Sequence, residues 1–472
     1  MMSWTLGELA RAAEAELARG DPSTNIAGVS TDSRSLPSGS LFVALRGERF
    51  DGHAFVDSAI QKGAKAVLVE RAHIGETEHV AVPRLLVSDT LRALGQIASI
   101  ARTRLGHKVV GITGSNGKTT TKELTAAALG ALGAVYRTQG NMNNLIGVPL
   151  TLLRWPAEAG LAVLEMGMSV PGEMARLTRI AKPDVGVITN VAQAHLQGLG
   201  DVTAVARAKG ELFANLHMGA VAVVNDDDPW IKKVCADVLA GRPQVSFGTR
   251  NGCDVRLLGC DPNPPGVLVM LEVHGELLAC KLPLVGRHNG LNAAAALAVA
   301  LALDIDARAA ARSMETVSPP ASRLQVIKTK RWHLLDDTYN ANPGSMQAAF
   351  SALADLAGSN RRVAVLGDMF ELGETAPALH EEVGRAAASS GIDWIVGMGE
   401  LAPHTVAGAA SQGARAAAFG TLDGLLAALE AGLRPGDWVL VKGSRAMRME
   451  RVVGVLCGDA LCGGIVCEEG VL

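Results

Sequence analysis

Short runs of β-branched and other apolar residues alternate along the chain with longer alanine- and leucine-rich stretches at helical spacing. That pattern predicts parallel sheets joined by crossover helices, an α/β protein. In a first block, LFVAL (41–45) and AVLVE (66–70) read as strands separated by a helix near 54–62, and the block is expected to end near Pro83. A second, largest block opens with a helix over 90–104, followed by a strand over 109–113, a helix over 119–132 and strands at LAVLEMG, VGVITNV and AVAVVN. A more β-like interval ends at PLVGRHN. The helix expected next, over 289–303, is apolar all round and should be buried on most sides. Paired prolines, Pro319 and Pro320 in VSPPASR, cannot continue a helix and mark a linker. Beyond it HLLDD, RVAVLGDM, DWIVGMG and DWVLVKGS alternate with helices in a third block. The expected domains are 1–83, 84–315 and 316–472.

A length of 472 residues agrees with three domains at roughly 150 residues each. The net charge of −3 offers no global attraction to nucleic acid or anionic membrane. Aromatic residues make up only 3%, so stacking platforms for single-stranded nucleic acid are scarce. Although 48% of residues are hydrophobic, the longest apolar run, Ala293 to Leu303, has about half the length needed to span a bilayer. The opening MMSWTLGELARAAEAE lacks a basic stretch followed by an apolar core, so a cytoplasmic location is expected. Cys235, Cys253, Cys260, Cys280, Cys457, Cys462 and Cys467 show no CxxC spacing, which argues against a zinc site or a disulfide framework. The glycine-rich flank of the last three reads as a loose tail.

The most informative string is VVGITGSNGKTTTKEL, which passes from a β-branched strand through glycines into a helix. In that setting Gly114 and Gly117 let the backbone curl so that its N–H groups, with the helix N-terminus, surround phosphate oxygens. Lys118 supplies a point charge for the terminal phosphates, and the Thr119 hydroxyl is placed to ligate Mg2+. Thr113, Ser115, Asn116 and Thr120 complete the expected ATP contacts. The strict GxxxxGK[ST] motif would need glycine where this chain has Ile112. No NKxD string is present for guanine recognition, and a purely regulatory nucleotide-binding module stays open at this step.

GITGSNGKTT resembles the ATP loop of the Mur ligases, the amide-forming enzymes of bacterial peptidoglycan assembly. Matching strings cover nearly the whole chain: TDSRSLPSGSLFVALRGERFDGHAF in the first block; GNMNNLIGVP, LEMGMSVPGEM, NVAQAHLQGLG, ARAKGELF and RHNGLN in the second; DDTYNANPGSM, LGDMFELG and VKGSRAMRMERV in the third. The resemblance implies a central P-loop ATPase-like parallel sheet, flanked by an N-terminal UDP-sugar-binding α/β domain and a C-terminal Rossmann-like domain. It is strongest to the branch that joins D-alanyl-D-alanine to UDP-N-acetylmuramoyl-tripeptide through an acyl phosphate, using ATP and two Mg2+ ions. The diaminopimelate-adding branch is the alternative; its third domain carries DNPR, where this chain reads ANPG at 341–344. Folylpolyglutamate synthetase shares the core, but its loop lies near the N-terminus.

Residue by residue, the resemblance makes Glu165, at the end of the run LAVLE, a Mg2+ ligand and His195 the histidine of a second metal. Lys209, in a helix beginning near Asp201, corresponds to a lysine that is carbamylated in several Mur ligases. Its competing role is an ordinary exposed helix lysine. Asn289 and Asn292, three apart and so on one helix face, could pair with adenine, with helix capping by Asn289 as the rival. Arg323 resembles an arginine that reaches the γ-phosphate, Asp337 a ribose acceptor, and Tyr339 and Asn340 would lie against the base. Ser33, Arg34, Arg46 and Gly47 fall in strings resembling the uridine-diphosphate-sugar site, where arginine makes bidentate contacts. Asn143 and Asn144 would bond the sugar or peptide, and Lys442, Ser444 and Arg445 would position the dipeptide. Because ATP contacts come from two blocks, the third is expected to swing inward about VSPPAS, and a monomer is expected.

Overall fold

Strand Lys108–Thr113 is buried at every position but its first, as a parallel strand covered on both faces requires. It pairs in parallel with Leu161–Glu165 on one side and Val185–Ile188 on the other. These three lie side by side near one edge of a nine-stranded sheet. Val135–Arg137 closes one edge, while Val221–Asn225, Gln244–Gly248 and Val255–Asn263 extend the other. The β-like interval proves to be antiparallel: Val255–Asn263, Gly266–Val273 and Glu276–Leu282 run up and down. Their alternating burial reflects one covered and one solvated face. Helix Asn289–Ala302, buried along most of its length, packs against helix Lys118–Ala128, which begins at the phosphate loop. The structure, a computed structural model, describes residues 3–47 and 50–458; Cys462, Cys467 and most of the expected loose tail lie outside them.

The first sheet runs in the order Glu16–Arg19, Arg84–Val87, Ala66–Glu70, Leu41–Val43, Val29–Ser30. It therefore continues past Pro83, where the first block was expected to end. Proline tolerates the position before a strand because its missing N–H forfeits no ladder bond there, and RLLV at once pairs in parallel with Ala66–Glu70. The third sheet holds Gln325–Lys328, His333–Asp337, Trp438–Lys442, Arg362–Gly367, Trp394–Met398 and Arg415–Phe419 in spatial order. Its last strand in sequence is thus a central one, and the register sets Lys442 directly beside Asp337. The segment between helix Ala307–Met314 and strand Gln325–Lys328 contains neither helix nor strand, consistent with its prolines. No helix among the described residues is long and apolar enough to cross a membrane.

Candidate active site

The carboxyl ends of the central parallel strands face the third sheet across a cavity of about 1000 Å³, the place where open α/β sheets present loops to ligands. Ser115 to Thr120 line it. Gly114 has φ +151, and a Cβ there would lie 1.8 Å from Thr189 Oγ1, so the chain can pass only as glycine. Gly117 has φ +79, and a Cβ would meet Asn292 Oδ1 at 2.4 Å. Ile112, by contrast, is fully buried within the strand; in this loop the backbone demands glycine two residues later than the strict motif places it.

The expectation that all the loop amides face phosphate needs correction. Ser115 N donates to Asn190 O at 2.9 Å and Asn116 N to Asn190 Oδ1 at 2.9 Å, so both are engaged by the segment after strand Val185–Ile188. The first helical bond runs from Thr121 N to Gly117 O, which leaves the N–H groups of Lys118, Thr119 and Thr120 without intrahelical acceptors and suited to an anion. Lys118 Nζ folds back onto Gly114 O at 2.7 Å and Ser115 O at 3.3 Å. Burial pulls its pKa down, Glu165 opposes that, and Arg323 adds to it. Thr113 and Gly114 do not line the cavity, and the Thr113 hydroxyl is buried with no hydrogen-bond partner.

Glu165 is 2% exposed. Thr119 Oγ1 donates to its Oε2 at 2.7 Å and Asn143 Nδ2 to its Oε1 at 2.8 Å, and both partners are neutral. Asn143, expected on the sugar or peptide, thus grips the carboxylate instead. Asn144 Oδ1 accepts from Gly147 N at 2.8 Å and opens helix Gly147–Leu153. Lys209 is 1% exposed within helix Val202–Ala214, which Asp201 caps, so it is not an ordinary exposed lysine. It makes no hydrogen bond or ion pair among the described residues. Burial, and next the Lys118 charge, hold its pKa well below the usual lysine range. His195 lines the cavity and its Nδ1 lies 2.5 Å from Glu371 Oε2 of the third sheet's loops; that bond lowers the Glu371 pKa.

From the other side, Lys442 is 2% exposed and donates to Asp337 Oδ2 at 2.6 Å and Asn340 O at 2.8 Å. Lys442 therefore buttresses the segment expected to hold ribose and base, and its charge is not turned toward a dipeptide. Asp337 Oδ1 also accepts from Leu324 N at 3.3 Å. The Arg323 guanidinium stacks on the Tyr339 ring at 3.8 Å, covering one face expected for the base. Asn289 is not the helix cap, which is His288. It donates to Val285 O at 2.8 Å and accepts from Asn292 Nδ2 at 2.9 Å, while Asn292 Oδ1 accepts from Thr121. Both amides line the cavity but are already knitted together. Ser444 and Arg445 do not line it: Ser444 Oγ accepts from Phe370 N at 2.8 Å, and Arg445 lies 3.8 Å from Glu450. Ser33, Arg34, Arg46 and Gly47 sit on the first sheet's loops, away from this lining; Arg34 reaches Asp32 with two nitrogens at 3.0 Å, and the backbone of Arg46 pairs with that of Asp51 in an isolated antiparallel β-bridge.

Comparison with known proteins decides the lineage. Residues 112–300 match the Mur ligase middle domain, 322–445 the Mur ligase glutamate ligase domain and 25–102 the Mur ligase family catalytic domain. The chain is 38% identical over 467 residues to the UDP-N-acetylmuramoyl-tripeptide–D-alanyl-D-alanine ligase of Escherichia coli, covering 98% of this chain and 100% of that one. It belongs to the Mur ligase family. A crystal structure of MurF from Acinetobacter baumannii is 33% identical with a TM-score of 0.90, covering 97% of this chain and 99% of the other. The MurF ligase of Thermotoga maritima, solved in complex with ADP, is 32% identical with a TM-score of 0.79, covering 90% and 96%.

Sequence reasoning missed two contacts that brace this Mur ligase's cavity. Thr138 Oγ1 accepts from Glu165 N at 3.0 Å, and Asn342 Nδ2 donates to Asn116 Oδ1 at 2.8 Å, tying the third sheet's side to the phosphate loop. Asn342 also caps helix Pro343–Ala357, a role that an asparagine directly before a proline favours. The separation from Asn116 of 226 residues gave no local hint of the second contact.

Proposed function

We propose that this Mur ligase joins D-alanyl-D-alanine to UDP-N-acetylmuramoyl-tripeptide at the expense of ATP, forming the UDP-N-acetylmuramoyl-pentapeptide used in peptidoglycan assembly. The observation that carries the reading is the convergence of loop 115–120, Glu165 and Lys209 with Arg323, Asp337 and Lys442 around one cavity. The relative named for this reaction covers nearly the whole chain, and ANPG at 341–344 departs from the diaminopimelate-adding pattern. In this reading the first unit, whose sheet includes Arg84–Val87, binds the UDP substrate, the middle unit binds the nucleotide, and the third completes the ligase site. We take the enzyme to act as a cytoplasmic monomer.

The tripeptide's terminal carboxylate attacks the γ-phosphorus of ATP, forming an O–P bond as ADP leaves. The dipeptide amine then attacks the acyl carbon to form the C–N bond, the C–O bond breaks as phosphate departs, and the nitrogen gives up its extra proton to the departing phosphate. Bringing a carboxylate to a triphosphate sets anion against anion, so catalysis is chiefly electrostatic. Lys118 leaves the Gly114 and Ser115 carbonyls to neutralise the terminal phosphates, and the N–H groups of Lys118 to Thr120 hold their oxygens. Arg323, released from Tyr339, adds a second cation. Thr119 and Glu165 fit Mg2+: they offer hard oxygen donors, and the buried Glu165 charge has only neutral hydrogen-bond partners. When bound there, Mg2+ supplies charge neutralisation across the phosphates. His195 would hold a second ion through its other ring nitrogen. Burial lowers the Lys209 pKa and so favours the neutral amine, whose lone pair can take up carbon dioxide; the resulting carbamate would be an anionic ligand.

Phosphate release tests the reading. With UDP-N-acetylmuramoyl-tripeptide and ATP, adding D-alanyl-D-alanine should release phosphate and yield the pentapeptide, and diaminopimelate should not. Turnover with diaminopimelate alone would overturn it.

A further inference from the structure

LGDMFELG carries no role in the scheme above, yet its Glu371 reaches across to His195. The backbone repeats the contact: Gln197 N donates to Glu371 O at 3.0 Å. Both residues adopt left-handed backbone, φ +57 at His195 and +63 at Glu371, a conformation non-glycine residues take where surroundings impose it. Two loops, one after strand Val185–Ile188 and one after strand Arg362–Gly367, are shaped to bring these side chains together. The pair is open to water, with side chains 24% and 55% exposed. A polar contact so exposed adds little to stability, so it does not explain why the units stay docked. What it fixes is direction. Of the two His195 ring nitrogens, Nδ1 alone has a hydrogen-bond partner among the described residues, and a carboxylate on that nitrogen sets both ring orientation and tautomer, leaving the lone pair on Nε2.

We propose that Glu371 is a positioning residue, which holds His195 so that its Nε2 lone pair faces the phosphoryl-transfer cavity only while the third unit is docked on the central one. The inference rests on reading the cavity as the ligase site. It links docking to chemistry: an undocked third unit leaves the imidazole free to rotate and to exchange tautomers.

Glu371 is half exposed, so its truncation leaves the fold in place. Relative to wild type, Glu371→Ala should lower kcat about 10–100-fold, the usual effect of removing a carboxylate behind a histidine ligand. KM for ATP and for D-alanyl-D-alanine should stay within about twofold, as expected for an interaction that acts on the reacting state. Glu371→Gln, whose amide oxygen still accepts from Nδ1–H, should regain most of the rate. The double variant with His195→Ala should be no slower than His195→Ala alone. A second readout needs no turnover: nitrogen NMR of histidine-labelled protein, without nucleotide or metal and at a pH well above the histidine range, should show His195 as the Nδ1–H tautomer. Glu371→Ala should abolish that preference. Wild-type kcat in Glu371→Ala, multiplicative losses in the double variant, or an unchanged tautomer would each overturn the proposal. If the wild type forms no amide at all, the ligase reading fails, while the NMR comparison still decides the role of Glu371.

Discussion

Replacing Lys442 with methionine tests how the third unit is built around its end of the cavity. The Lys442 ammonium is 2% exposed and the Asp337 side chain 13%, with 2.6 Å between charged atoms. Removing one member of a buried pair strands the other charge and costs about 3–5 kcal/mol. The loss falls in the upper part of that range only if Leu324 N, at 3.3 Å, gives the orphaned carboxylate no better hydrogen bond. For a unit of this size each kcal/mol lowers the melting temperature by about 2–4 °C, so calorimetry of Lys442→Met should show the third unit's transition falling by roughly 6–20 °C. Because Asp337 and the Asn340 carbonyl lose their shared donor, KM for ATP should rise more than KM for D-alanyl-D-alanine. Adding Asp337→Asn should cost less than the two single losses combined, since the stranded charge is gone. A transition within 1 °C of wild type, or a rise confined to the dipeptide KM, would refute the buttress and restore Lys442 to the acceptor.

Lys118→Ala should abolish phosphate release while thermal stability changes little, because Lys118 Nζ bonds only carbonyls of its own loop; retained turnover would remove it from the chemistry. Gly117→Ala would drive a methyl into Asn292 Oδ1, and ATP binding by calorimetry should weaken at least tenfold, about 1.4 kcal/mol. Lys209→Met should raise stability at neutral pH in carbon-dioxide-free buffer while removing turnover. The sign follows from the lowered pKa: between the folded and ordinary lysine values the unfolded chain binds the extra proton, so wild-type stability climbs with pH. The advantage of Lys209→Met should therefore shrink as pH rises toward the ordinary lysine value, and a constant difference in denaturation midpoints would refute it. Mass spectrometry of native protein in bicarbonate should show one added carbon dioxide at Lys209, and its absence there would exclude the carbamate.

Local pattern was enough for much of this molecule. The run AVLVE became the strand Ala66–Glu70, the stretch predicted over 90–104 became helix Thr90–Leu105, and Asp201 caps the helix bearing Lys209. The glycines of GSNGKTT marked the phosphate loop because positive φ and close approach leave no alternative residue. Such features depend on neighbours a few positions away, through the twofold and 3.6-fold repeats of strand and helix. Which oxygen each side chain meets follows a different rule. Lys442 reaches Asp337 across 105 residues, His195 reaches Glu371 across 176, and Asn342 reaches Asn116 across 226. Those meetings require strand Trp438–Lys442 to enter the middle of its sheet and the third sheet's loops to lie against the central one. The sequence by itself settled the elements and the chemical residues; sheet order and the packing of distant loops decided their partners, because a side chain's hydrogen bonds are chosen by what tertiary contact brings within 3 Å.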